Sequence, residues 1–354
     1  MNAPIPPGNR LIAQPAILLS AAVFFAALTS PSFASKQDLK VAASHVSQVI
    51  AHRGASAERP ECTLASVARA IQVGATAVEV DVRTSKDGRL FILHDSTLDR
   101  TTNGKGPANA LMLAQLQKLD AGSHFDSKFS GERIPSLIEV AQLCRGKIDL
   151  MLDLKEQGDG YDRQVASVIR EHGDPAKTVV GLRSVEQARR FRKLLPEAKQ
   201  LALIPTVADV EAFAETGVDF IRIWPRWLTE GDGPVRRVRA TGVKLHLNGL
   251  AGEMQETLGL LVHKPDSLSA DDPKKLRETL RRIAAGDISS REAPELSGLK
   301  AEAADRIDDL AKLNQEIIDS LFSYSELGFQ EFETQRYLTK LLKQNDFEVE
   351  QGVS

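Results

Sequence analysis

Short β-rich runs alternate with amphipathic stretches from Val46 to about Leu268, and this rhythm constrains the fold more than any other feature of the chain. The runs cover 46–50, 77–82, 90–93, 148–154, 178–182, 201–204, 220–224, 243–247 and 258–262. Stretches with helical periodicity, such as 64–73 and 164–171, lie between most of them. Strands that alternate with helices imply a mostly parallel sheet covered by helices. About eight such units over ~250 residues is the size of a closed (β/α)8 TIM barrel. Nine candidate strands exceed that number by one, so one of them is expected to be irregular.

After Leu268 the rhythm stops. Asp272-Pro273 reads as an N-cap followed by proline at the first helical position, with Gly286 ending the helix. Residues 269–299 are therefore expected to form a helical linker. Beyond it Ile307, Leu310, Leu313, Ile317 and Leu321 recur at helical spacing, so 300–354 is expected to be a C-terminal helical appendage. At the other end Arg10 precedes an apolar stretch over 16–28 broken only by Ser20, and Ser32-Phe33-Ala34 offers small residues for cleavage. Residues 1–34 read as a signal peptide. The stretch is shorter than the ~20 apolar residues a membrane span needs, so the expectation is export, to a periplasmic or extracellular location, without stable membrane insertion after cleavage. Cys62 and Cys144 read as ordinary thiols, since a large core needs no staple.

A net charge of −3 gives no general attraction to nucleic acid or anionic membranes, and an aromatic content of 5% argues against a stacking platform for single strands. An anionic substrate would have to be held by a local set of cations. The residues that carry chemistry fall at the ends of β-rich runs: Ala51-His52-Arg53-Gly54, Pro60-Glu61-Cys62-Thr63, Glu79-Val80-Asp81-Val82 and His94-Asp95. In a parallel barrel those ends share one face, where the loops converge. Glu79 and Asp81 are two apart on a strand, so both point one way while Val78, Val80 and Val82 point the other. A buried acidic pair repels itself unless a cation holds it. Oxygen donors suit Mg2+ or Ca2+ better than zinc. A lone Glu-x-Asp is more often a solvated strand face, and the neighbouring His-Arg-Gly and His-Asp elements reverse that reading. His52 and His94 can each give and take a proton near neutral pH. Arg53 offers a forked donor to phosphate oxygens, and Gly54 permits close backbone approach.

This set resembles the glycerophosphodiester phosphodiesterase family over about 46–268, whose His-Arg-Gly, Pro-Glu-Asn-Thr, Glu-x-Asp-Val and His-Asp motifs have counterparts here in order. The resemblance implies that His52 and His94 are the acid/base pair, Glu79 and Asp81 metal ligands, Arg53 a phosphate contact and Glu61 a ligand or glycerol contact. The family's later Glu-x-Lys corresponds to Asp153-Leu154-Lys155, which implies Asp153 as a third metal ligand and Lys155 beside phosphate. The departures are Cys62 in place of Asn, Asp153 in place of Glu, and Leu245 in place of Trp in the stretch that stands for Trp-Thr-Val-Asn. Val262-His263-Lys264-Pro265-Asp266 matches the family's Thr-Asp-Arg-Pro-Asp only in part. Residues 119–135 fit an insertion the family carries after His-Asp, read either as a cover for the site or as a surface excursion.

The tail Ser323-Tyr324-Ser325-Glu326-Leu327-Gly328-Phe329-Gln330-Glu331 resembles the N-terminal edge of aminoacylase/carboxypeptidase-type metal amidohydrolases. Their metal ligands fall later than this chain extends, so no peptidase or amidase activity is implied. The activity implied by the barrel's family resemblance is metal-dependent hydrolysis of small glycerophosphodiesters to sn-glycerol 3-phosphate and an alcohol. The alternatives are a phospholipase C-like or D-like enzyme on intact lipids, and an inactive barrel that binds glycerophosphodiesters.

Overall fold

The computed structural model describes residues 35–229, 231–249, 251–289 and 339–340. The segment read as a signal peptide and nearly all of the C-terminal appendage lie outside the described residues. The chain divides into two units, 1–288 and 289–354. In the first, eight parallel strands close into a ring: β1 (Gln48–Ala51), β2 (Ala77–Thr84), β4 (Asp149–Leu154), β5 (Thr178–Leu182), β6 (Lys199–Ala202), β7 (Phe220–Ile223), β8 (Lys244–Asn248) and β9 (Ser267–Ala270). β1 pairs with both β2 and β9, which closes the barrel. β3 (Leu90–Ile92) lies outside the ring, antiparallel to β2. The helices that follow the successive barrel strands are α2 (Leu64–Gln72), α4 (Leu137–Cys144), α5 (Asp159–His172), α6 (Val185–Leu194), α7 (Val210–Ala214), α8 (Gly233–Ala240), α9 (Met254–Leu261) and α10 (Pro273–Ala285). α1 (Lys36–His45) packs on α10, and the short α3 (Leu113–Leu116) lies in the long connection after β3.

Two expectations are corrected. The apolar run at 258–262 is not a strand, because it falls largely within α9, and the last barrel strand is β9, at the polar-flanked Ser267-Leu268-Ser269-Ala270. The linker expected over 269–299 is described only as far as residue 289, and the part up to Ala285 belongs to the barrel. β9 runs through the expected boundary at 268, and Leu276, Leu280 and Ile283 of α10 are buried in the same core as Leu39, Ala42 and Ala43 of α1. The helix ends are as read: Asp272 accepts from the Lys275 N–H at 2.9 Å, and Gly286 closes the helix in a left-handed conformation at φ +89°. Cys62 and Cys144 are both buried free thiols. No helix of the described residues is long and apolar enough to cross a membrane.

Strand alternation sorts the side chains into two populations. One set, including Val78, Val80, Val82, Leu150, Leu152, Leu154, Ile221 and Ile223, packs outward against the helices as the main core. The other set, Ile50, Ala77, Met151, Val179, Leu201, Leu203 and Phe220, forms a separate apolar plug inside the ring. Each inward strand position two residues beyond the plug is therefore also inward, but nearer the C-terminal rim. That rule delivers His52, Glu79 and then Asp81, Asp153, Arg183 and Arg222 to one basin. The connection between β3 and α4 has its own small core of Phe91, Leu93, Leu98, Leu116 and Ile134. It is a folded excursion rather than a loose loop.

Candidate active site

The β1–α2 turn is shaped to put two groups at the rim. Arg53 and Cys62 both take positive φ, +57° and +56°, which non-glycine residues rarely adopt. Gly54, at φ +85°, lies so close to α2 that a Cβ would meet Ser66 Oγ at 2.3 Å. The bent turn lets the Arg53 N–H donate to Glu79 Oε2 at 2.7 Å while its side chain turns to Glu61 Oε1 at 3.1 Å. His52 Nδ1 lies 2.7 Å from Asp271 Oδ1, just past β9, and that carboxylate also accepts from Ser56 Oγ at 3.1 Å. A carboxylate on Nδ1 fixes the ring orientation and leaves Nε2 for chemistry. Burial works against a charged His52, but the Asp271 hydrogen bond and the charge of Glu79 outweigh it, and the imidazole is held above its ordinary value.

Glu79, Asp81 and Asp153 are all buried, and each offers an oxygen within 4.8 Å of the others. Asp81 and Asp153 are direct partners in the β2–β4 register. Lys155 Nζ sits between them, 2.7 Å from Asp81 Oδ1 and 2.8 Å from Asp153 Oδ2. Arg183 also holds Asp153, at 2.6 Å. Burial would raise Asp153, but Lys155 and Arg183 bring it below the usual carboxylate range. Glu79 lacks such a partner. Burial, and then the neighbouring Asp81 charge, push it up to about 7. Leaving a buried carboxylate uncompensated costs several kcal/mol, and among the described residues Asp81 and Asp153 meet Lys155, Arg53 and Arg183 while no side-chain cation contacts Glu79. Three clustered carboxylates with oxygen donors only are the donor set of a hard divalent cation, and the residues fit such an ion.

His94 and Glu61 join this centre through a chain of ion pairs. His94 Nδ1 lies 2.7 Å from Asp95 Oδ1, and Arg100 bridges Asp95 Oδ2 at 2.6 Å and both Glu61 oxygens at 2.8 Å. Glu61 in turn meets Arg53, which binds Glu79. Burial resists ionisation of Glu61, but Arg100 and Arg53 keep it below its ordinary value. Glu61 stands apart from the acidic trio. Glu156 points away, as alternation requires, and accepts from the Thr84 N–H at 2.8 Å. The unusual Cys62 donates its thiol to Asp81 Oδ2 at 3.3 Å. His124, in the excursion after β3, feels the charges of Glu61 and Arg100, so the excursion borders the site.

Every residue singled out in the sequence thus lies in one connected rim: His52, Arg53, Glu61, Glu79, Asp81, His94, Asp153 and Lys155. Four others were not singled out. Asp271 and Arg100 orient the histidines and Glu61, Arg183 holds Asp153, and Arg222 enters the basin from β7. For Arg183 and Arg222 the signal was present as the two-residue period beyond the inward Val179 and Phe220. Asp271 and Arg100 sit in loops, where no periodicity applies.

A model of the glycerophosphoryl diester phosphodiesterase family matches residues 52–275. A glycerophosphodiester phosphodiesterase of Caldanaerobacter subterraneus is 38% identical over 240 residues, covering 66% of this chain and 98% of the relative. One from Bacillus subtilis is 30% identical over 265 residues, covering 67% and 87%. Among solved structures, an Oleispira antarctica phosphodiesterase in complex with the product sn-glycerol-3-phosphate superposes with a TM-score of 0.60 at 28% identity, covering 68% of this chain and 99% of its own. A glycerophosphodiester phosphodiesterase from Agrobacterium tumefaciens gives 0.56 at 28% identity, covering 65% and 99%. With the barrel, its rim and these relatives in agreement, the chain belongs to the glycerophosphoryl diester phosphodiesterase family and is an enzyme of it.

Proposed function

We propose that this enzyme hydrolyses glycerophosphodiesters to sn-glycerol 3-phosphate and an alcohol, with Glu79, Asp81 and Asp153 holding Mg2+ or Ca2+ and His52 and His94 moving the protons. The observation that carries this reading is the buried acidic trio with His52 beside it and His94 linked to it through Asp95, Arg100, Glu61 and Arg53, each imidazole tied at Nδ1 to its own carboxylate. A divalent cation at the trio would neutralise charge on the phosphoryl oxygens. Arg53 and Lys155 add fixed positive charge at the same rim, where low dielectric strengthens it. With Nδ1 engaged, each histidine presents Nε2. One ring withdraws a proton from the nucleophile, either water directly or a neighbouring substrate hydroxyl whose cyclic phosphate water then opens, and the other returns one to the departing alkoxide. The product complex of the Oleispira relative supports the same substrate class. Intact connections through Arg100, Glu61 and Arg53 favour a working site over an inactive binding barrel.

The test is turnover of a glycerophosphodiester by the wild type, with and without chelator, beside His52→Ala and His94→Ala. Chelation should abolish activity and re-added Mg2+ or Ca2+ restore it, while each substitution should lower kcat by roughly a hundredfold or more. Near-normal rates in either variant would sink the assignment.

A further inference from the structure

Arg222 is a buried cation that no carboxylate of the described residues contacts. Its residue is only 8% exposed, and strand alternation puts it on the face of Phe220, inside the ring, while Ile221 and Ile223 face the helices. Its Nε has no hydrogen-bond partner, and no ion pair joins its guanidinium to any described residue. The nearest strand neighbour in register is His246. Burial, and then Arg222 itself, hold that ring down to about 3, so it is neutral, and its Nδ1 is spent on Ser267 Oγ at 2.7 Å. The guanidinium is nevertheless well seated, with its Cζ 3.8 Å from the Trp224 ring centroid. Stacking on an aromatic face orients the plane and leaves the N–H donors at its edge unspent. Burial lowers the group to about 10, which still leaves it charged at neutral pH.

A buried, unpaired charge is among the costliest features a fold can carry. This one lies on β7, across the ring from the acidic trio on β2 and β4, and its electrostatic neighbours include Asp153 and Glu79. An anion held between the trio's cation site and Arg222 would satisfy both sides at once. We infer that Arg222, oriented by Trp224, is a further substrate-binding residue that donates to the non-bridging oxygens of the phosphodiester and of the phosphomonoester product. The inference rests on the proposed function for the identity of the phosphorylated ligand, but not for the presence of an anion seat.

The test uses the full-length chain and two readouts: thermal unfolding with and without inorganic phosphate, and kinetics on a glycerophosphodiester. Arg222→Met removes the charge while keeping an apolar stem, and Arg222→Lys keeps a charge without the fork. Arg281→Met on α10 controls for net charge. Phosphate should raise the melting temperature of the wild type and of Arg281→Met. Arg222→Met should melt no lower than the wild type without phosphate, lose most of the phosphate-induced rise, and show KM raised roughly tenfold or more. Arg222→Lys should recover part of both. A phosphate response and KM within twofold of wild type in Arg222→Met would overturn the inference. So would a lower melting temperature with KM unchanged, which assigns the arginine to structure. If phosphate stabilises the wild type through Arg222 but no glycerophosphodiester is turned over, the anion seat stands and the proposed reaction falls.

Discussion

Asp271 serves His52 as Asp95 serves His94: each carboxylate sits 2.7 Å from an Nδ1 and selects the ring nitrogen left for the substrate. Asn at 271 could donate to Nδ1 and reverse the tautomer. Asp271→Asn is therefore expected to lower kcat by at least about tenfold and to shift the pH profile of kcat/KM, with little change in melting temperature. An unchanged profile would show that Asp271 only packs. At this scale the site was largely legible, because motif residues on strands inherit their direction from alternation. His52, Glu79, Asp81 and Asp153 could be read as convergent without coordinates. Asp271 could not, because it follows β9, a strand whose Ser267-Leu268-Ser269-Ala270 has one large apolar residue. Nor could Arg100, whose side chain reaches Glu61 across 39 positions of sequence.

Leu245 of β8 and the turn 262–266 before β9 depart from the family pattern, and Asp266 shows how the two strands are tied. Its carboxylate accepts from the Leu245 N–H at 2.8 Å, Arg239 of α8 at 2.9 Å, and lies 3.0 Å from His45 Nε2 of α1. Burial opposes ionisation, but these three donors outweigh it and hold the carboxylate below its ordinary value of 3.8. A group lowered in the folded state contributes stability above its unfolded value and loses it as pH falls through the folded one. Asp266→Asn should accordingly cost about 2 kcal/mol at neutral pH by denaturant unfolding. The gap from wild type should narrow below about pH 4, and a constant gap would exclude the ionic origin. The same region shows why the last unit was misread. The run at 258–262 is the more apolar one, yet it buries Leu260 and Leu261 as one face of α9, whereas β9 buries all four of its small or aliphatic residues as a strand of the ring. Hydrophobicity marks burial, and only length and period separate a buried helix from a buried strand.

For the molecule as a whole, the barrel's limits follow from α1 and α10, which pack together and close the seam at β1 and β9. A chain of 35–288 should unfold cooperatively and keep its turnover, while 35–270 should not fold, because it lacks Leu276, Leu280 and Ile283. Losing three buried aliphatic side chains, at about 2–5 kcal/mol each, approaches the whole stability of a domain. Circular dichroism melts of the two chains would decide, and a cooperative transition in the shorter one would refute the assignment of α10. The plug of Ile50, Ala77, Met151, Val179, Leu201, Leu203 and Phe220 has one last consequence. It makes the ring a cul-de-sac: whatever enters must leave by the same doorway, head first in and tail first out.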